Sequence, residues 1–200
     1  MIKFFNLNNN APFIIFKEKY DLAINANQHN IDAIGISSFS TQSNEVNSRY
    51  VNLKFVDGDK FIFFSNYNSP KAIDFSEHKQ VSILIYWNKI NTQIRLKANI
   101  NKTPLKFNES YFKNREKHKN ALAISSNQSK KISSYNEVLK KYEECYKNKN
   151  KNLNICPTYW GGFYFIPYYF EFWEGHDSRI NKRDAYELKD ENWCHYYLEP

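Results

Sequence analysis

The sequence predicts a mainly β fold of the α+β class: an antiparallel barrel of Greek-key type with helices at its periphery. Three observations carry this. Six or more short runs have strand character, rich in Val, Ile, Phe and Tyr. Turn residues separate several of them at hairpin spacing, and helix-start signals fall between the hairpins. Hydrophobic residues make up 42% of the chain and aromatics 18%, so Phe and Tyr can fill much of a core. At 200 residues, a single domain spanning 1–200 is expected, burying about 70% of its unfolded surface.

Each element has its own signal. Residues 12–27 predict an amphipathic helix within an N-terminal segment 1–30, with Phe13, Phe16, Tyr20 and Ala23 near one face. Strands are predicted over Ala33–Phe39, Arg49–Val56, Lys60–Asn66, Val81–Trp87 and Thr92–Lys102. Asp57-Gly58-Asp59 links two of them as a hairpin, because Gly accepts the positive φ such turns require. Ser69-Pro70 reads as N-cap and first helical residue of a short helix to Phe75. Thr103-Pro104 repeats that signature and opens a helix that carries Tyr111 and Arg115 on one face. Ser134 and Glu137 have capping-box spacing ahead of a helix to about Lys149, followed by an Asn/Lys-rich loop at 147–154. The aromatic stretch Tyr159–Trp173 is interrupted by Gly161-Gly162 and Pro167, and strands at Ala185–Lys189 and Trp193–Leu198 finish the chain.

Composition narrows the function. The formal net charge of +7 suits phosphate ligands, nucleic acid or simply a solvated surface. The Lys-rich runs at 113–119 and 140–151 have helical spacing and read as solvated faces. No RNP signature, zinc finger or recognition helix is present, so a nucleic-acid partner is not expected. The cysteines, Cys145, Cys156 and Cys194, are odd in number without a C-x-x-C pair, which fits a reducing cytoplasm. The five histidines lack metal-ligand spacing, so no metal is expected. No apolar run approaches membrane-spanning length, and a cytoplasmic chain without a membrane partner is expected.

The chemistry-bearing residues form a train rather than a single motif. It runs Arg49-Tyr-Val-Asn-Leu-Lys54, Phe64-Ser65-Asn66, Ser69-Pro70-Lys71, Gln93, Tyr111-Phe-Lys-Asn-Arg115 and Gln128-Ser129. It continues through Trp160-Gly161-Gly162, Glu171-Phe172-Trp173 and Arg179-Ile-Asn-Lys-Arg183. Cations recurring at strand ends, with amides and aromatics between them, suit a flat aromatic ligand that carries phosphate. Ser65 and Lys71 bracket a helix start, where free N–H groups and the helix dipole attract anions. Arg49 and Lys54 lie five apart, so an ideal strand sends them to opposite faces unless a bulge intervenes. Singly, each pair is compatible with ordinary packing or a solvated surface. The conjunction is what points to a site.

In order and spacing these motifs, over roughly residues 31–200, resemble the pyridoxine/pyridoxamine 5'-phosphate oxidase family. The resemblance implies an FMN-binding split β-barrel that dimerises with FMN in a cleft shared by both subunits. It implies FMN contacts from Arg49, Lys54, Phe64, Ser65, Lys71, Gln93, Gln128, Ser129, Trp173 and Arg183. It places Lys54, Tyr111, Arg115, Lys119, Arg179 and Asn181 toward a phosphorylated small-molecule substrate, with Arg179 and Asn181 in the catalytic positions. The implied reaction is hydride transfer from the substrate C4' to flavin, with oxygen as acceptor. Two departures stand out: Pro70 replaces the family's arginine, and Asn181 its histidine. Lys119 stands for a serine and Lys182 for an aspartate. These changes leave two alternatives: a related flavin oxidoreductase acting on another ring, such as a phenazine-type precursor, or a non-catalytic flavin- or pyridoxal-phosphate-binding protein.

Overall fold

The computed structural model describes residues 1–200. Nine strands and five helices follow one another as β1 (Lys3–Phe5), α1 (Ala11–Asn25), β2 (Ala33–Ser40), β3 (Glu45–Asp57), β4 (Lys60–Asn66), α2 (Pro70–Glu77), β5 (Gln80–Trp87), β6 (Thr92–Lys102), α3 (Leu105–Lys113), α4 (Lys117–Ser125), α5 (Tyr135–Lys147), β7 (Trp160–Glu174), β8 (Lys182–Lys189) and β9 (Asn192–Tyr197). Pairing runs β3–β2–β5–β6–β7–β4 and back to β3, all antiparallel, so six strands close a barrel. The β8–β9 hairpin extends the sheet from β7, and β1 lies parallel to β3. No helix is long and apolar enough to cross a membrane.

Phe61, Phe63, Phe163, Phe165, Phe170 and Phe172 from β4 and β7 are fully buried. Helix α1 lays Phe13, Phe16 and Tyr20 onto this core, Phe13 edge-on to Phe170 and Phe16 edge-on to Phe61. The Tyr20 hydroxyl accepts the Ile2 N–H at 2.8 Å, which ties the N-terminal strand down. The predicted hairpin is present, with Gly58 at φ 61°. Ser134 caps α5 by accepting the Glu137 N–H at 3.3 Å, while the Glu137 carboxylate binds Ser133 instead of closing the box.

Two expectations need correction, and one strand is additional: β1, at three residues, is too short for a periodic signal. The aromatic stretch near 159–173 is not interrupted: β7 runs unbroken through both glycines and Pro167. Opposite Pro167 the register with β6 shifts between Lys97 and Ala98, and a bulge tolerates a residue without an N–H. There β7 also changes neighbours, since β4 pairs with it up to Phe165 and β8 from Tyr169. The helix predicted from Thr103-Pro104 stops at Lys113, and Arg115 lies in the break before α4.

Candidate active site

The β3–β4 ladder ends at Leu53 opposite Phe63, although β3 extends back to Glu45 and β4 on to Asn66. Where the two strands part, the barrel opens into a cleft of about 590 Å³. Its floor is Arg49–Asn52 and Phe64–Asn66; its walls are the start of α2, part of α4 and the turn through Gln128 and Ser129. A second cavity of about 420 Å³ shares Asn52, Phe64, Arg115, Lys119 and Trp160 with it and adds Lys54 and Tyr111. The register shift between Leu53 and Phe55 leaves Lys54 as an extra, bulged residue. That bulge settles the parity question: Arg49 lines the first cavity and Lys54 the adjoining one.

Charge in the first cavity is unbalanced. Arg49 donates to the Ser38 hydroxyl at 2.7 Å and lies 3.8 Å from the Asp74 carboxylate, to which Ser38 also donates. Lys71, at the first turn of α2, is 7% exposed and its ammonium meets only the Ser69 hydroxyl, at 3.2 Å. Burial, with the Arg49 charge adding to it, lowers the Lys71 pKa from 10.5 to about 8. Half-buried Arg49 thus has one carboxylate and buried Lys71 has none, an arrangement that an added anion relieves. Pro70 lines the same cavity and brings no cation. The turn opposite is fastened by the Gln128 Oε1, which accepts the Asn66 N–H at 3.3 Å, and Ser129 takes a left-handed φ of 67°.

Between the cavities stands an aromatic wall. Phe64 stacks on Tyr111 at 3.8 Å and on Trp160 at 5.1 Å, all three rings nearly parallel. The Arg115 guanidinium lies 4.6 Å over the Trp160 ring. Arg115 also donates to the Oδ1 of fully buried Asn120 at 3.2 Å, and Asn120 in turn donates to the carbonyls of Phe112 and Leu153. The break between α3 and α4 therefore does not release Arg115; it hands it to Asn120. Burial raises the Tyr111 pKa, with Arg115 opposing and Asp32 adding to it, so the hydroxyl keeps its proton.

The Gly161-Gly162 pair explains how Trp160 is placed. A Cβ on Gly161 would sit 2.2 Å from the Tyr67 hydroxyl, and one on Gly162 2.5 Å from the Thr103 hydroxyl. The space is taken by buried Asn108, whose Oδ1 accepts the Gly162 N–H at 2.9 Å and whose Nδ2 donates to the Tyr67 hydroxyl at 3.0 Å. Helix α3 is thereby held against β7 beside the aromatic wall.

Within one chain the structure brings together Arg49, Lys54, Phe64, Ser65, Lys71, Tyr111, Arg115, Lys119, Gln128 and Ser129. It does not bring Gln93, Trp173, Arg183, Arg179 or Asn181 to either cavity. Instead Gln93, Trp173 and Arg183 stand side by side across β6, β7 and β8. Glu171, 2% exposed, anchors Arg183: it accepts from Arg183 at 2.9 Å and from Tyr169 at 3.0 Å, and pairs with Arg95 at 3.2 Å. Arg179 is exposed at a φ of 60°, in the loop before β8, and Asn181 Oδ1 accepts the His176 N–H at 3.1 Å. On the outer face between the two groups, Tyr50, Leu84 and Tyr86 are exposed apolar residues.

Sequence reasoning missed Asp32, Ser38, Asp74, Glu116 and Asn120. Only Glu116 had a signal, its three-residue spacing to Lys119, which it meets at 3.0 Å. The others reach the site through strand pairing and helix packing, which leave no local pattern.

A six-stranded barrel, opened between two strands and continued by a hairpin, defines a split β-barrel protein. Residues 27–149 match the family model described as pyridoxamine 5'-phosphate oxidase. Residues 160–200 match the pyridoxine 5'-phosphate oxidase C-terminal dimerisation region. The chain is 33% identical over 181 residues to pyridoxine/pyridoxamine 5'-phosphate oxidase 1 of Hydrogenovibrio crunogenus, covering 90% of this chain and 83% of that one. Among solved structures it is similar in fold to PhzG from Burkholderia lata, crystallised with tetrahydrophenazine-1-carboxylic acid (TM-score 0.88, 22% identity, 94% and 92% of the two chains). It is also similar in fold to a pyridoxamine 5'-phosphate oxidase-related, FMN-binding protein from Nostoc punctiforme (TM-score 0.77, 10% identity, 96% and 99% covered). The chain belongs to the pyridoxine/pyridoxamine 5'-phosphate oxidase family, a family of oxidoreductases.

Proposed function

We propose that this chain is an FMN-dependent oxidase that converts pyridoxamine or pyridoxine 5'-phosphate to pyridoxal 5'-phosphate, working as a homodimer with oxygen as acceptor. Lys71 carries the proposal. It is a buried ammonium without a carboxylate partner, beside Arg49 and at a helix start, in a chain of this family. A phosphate dianion supplies the missing negative charge. The donors present therefore fit FMN, with Arg49, Ser65, Lys71, Gln128 and Ser129 holding it and Phe64 alongside. Gln93, Trp173 and Arg183, remote from the cleft in one chain, complete the site from the second protomer. The match to a dimerisation region and the exposed Tyr50, Leu84 and Tyr86 support that arrangement.

Bound FMN would supply the two-electron redox chemistry of the C4' oxidation, with oxygen as final acceptor and hydrogen peroxide as by-product. The chain's own residues bind and orient the substrate. Arg115 and protonated Tyr111, with Lys54 and Lys119, hold the substrate phosphate in the second cavity. The Phe64–Tyr111–Trp160 wall keeps water from one side of the ring. Arg179, from the loop of the second protomer, orients the substrate at its reacting end. Asn181 hydrogen-bonds but does not titrate near neutral pH, so it positions and moves no proton.

The test is direct. Purified protein should be yellow, should bleach anaerobically with pyridoxamine 5'-phosphate, and should release peroxide in air. A yellow protein that bleaches with no such vitamer would reassign the substrate, and a colourless one that ignores added FMN would end the flavin reading.

A further inference from the structure

We propose that Asp32 tunes substrate affinity by competing with the substrate's phosphate for Lys54. This rests on the reading above that the cavity of Lys54, Tyr111 and Arg115 receives that phosphate. The Asp32 carboxylate lies 2.7 Å from the Lys54 ammonium. Asp32 immediately precedes β2, and its carbonyl accepts the Leu53 N–H at 2.8 Å, one residue before the bulge that carries Lys54. The carboxylate is therefore held beside the bulge by backbone, 19% exposed, and it also lies 3.7 Å from the Met1 amino group. Burial would raise its pKa, but the Lys54 hydrogen bond and charge prevail and keep it low, so Asp32 is charged throughout the neutral range.

The cavity's charges are then unequal in availability. Lys119 is held by Glu116, but both side chains are more than half exposed and screened by water, so that pair exchanges freely. Arg115 has no carboxylate within ion-pair distance and rests on Trp160 and Asn120. Lys54 alone is bound to a shielded acid. An incoming phosphate must either displace that acid or share the ammonium with it. A lysine has three N–H donors, so sharing is possible, but it brings two like charges to one nitrogen. Asp32 thus gives Lys54 a partner when the cavity is free of substrate and weakens the hold on any dianion. The same effect lowers retention of a phosphorylated product.

The experiment compares wild type, Asp32→Asn, Asp32→Glu and Asp32→Ser as FMN-loaded protein. Inorganic phosphate binding is measured by calorimetry, and KM and kcat for pyridoxamine 5'-phosphate by peroxide release. Asp32→Asn and Asp32→Ser should bind phosphate and substrate about 2- to 5-fold more tightly without a rise in kcat, the scale of one partly exposed ion pair. Asp32→Glu, which restores the charge, should return KM toward wild type. In a Lys54→Met background the Asp32→Asn gain should vanish. Unchanged or weaker phosphate binding in both neutral variants, or a gain that persists without Lys54, overturns the proposal. If wild type releases no peroxide with this substrate, the substrate reading falls separately, while the phosphate titration still decides the role of Asp32.

Discussion

Raising the pH from 7 to 9 should weaken the proposed hold on the flavin phosphate about tenfold through one residue. Lys71 has a pKa of about 8 in the ligand-free fold. Its ammonium is then about 90% populated at pH 7 and about 10% at pH 9, a loss of roughly tenfold, or about 1.4 kcal/mol, in affinity for a ligand that needs the charge. The sign follows from linkage. Phosphate binding raises the Lys71 pKa, so the complex takes up a proton above pH 8; affinity is full below that pH and falls above it. The ligand-free fold behaves oppositely. Its unfolded chain keeps the lysine proton to about 10.5 and the folded chain releases it near 8, so this group's contribution to stability rises with pH across that window. The assay is quenching of flavin fluorescence on adding apoprotein, with riboflavin in parallel so that ionisation of the ring cancels in the FMN-to-riboflavin ratio. Lys71→Met should start about 10- to 150-fold weaker, the value of one charged hydrogen bond, and show no pH slope in that ratio. Lys71→Arg should also be flat. A wild-type ratio that does not move between pH 7 and 9 would refute the assignment of the phosphate to Lys71.

Other outcomes follow from the same geometry. Gly161→Ala should lose about 1–3 kcal/mol in chemical denaturation, because the new Cβ falls 2.2 Å from the Tyr67 hydroxyl, and Trp160 fluorescence should shift with it. Phe16→Ala, at the centre of the α1 contact with Phe61 and Trp87, should cost about 3–5 kcal/mol in a urea melt while leaving the charge pattern of the cleft alone. Arg179→Ala should lower kcat/KM by roughly 10- to 150-fold with flavin content unchanged; an unaltered rate would remove it from the substrate face. Asn181→His should raise turnover if the missing imidazole limits the reaction, measured against wild type at pH 6 to 8, and no gain would mark the loop as serving a different substrate.

Much of the fold was legible in the chain because strands and helices announce themselves over a few neighbouring residues. The strand character of Val81–Trp87 and Thr92–Lys102, the Ser69-Pro70 helix start and the Asp57-Gly58-Asp59 turn are local features, and the structure keeps all of them. The candidate site was legible for a different reason: its cations, amides and aromatics are of chemically distinctive types at family-like spacings. Tertiary structure decided what pairing decides. That Lys54 bulges out of β3, that β7 runs through Pro167, and that Arg115 leaves its helix to rest on Trp160 and Asn120 each depend on a neighbour more than twenty residues away or on a break in register. So does the separation of Gln93, Trp173 and Arg183 from the cleft, and the placing of Asp32 against Lys54. Side-chain chemistry belongs to the residue and can be read one letter at a time. Proximity belongs to the closed barrel, where strands distant in sequence lie side by side, and only there does a lysine acquire or lack a counter-charge.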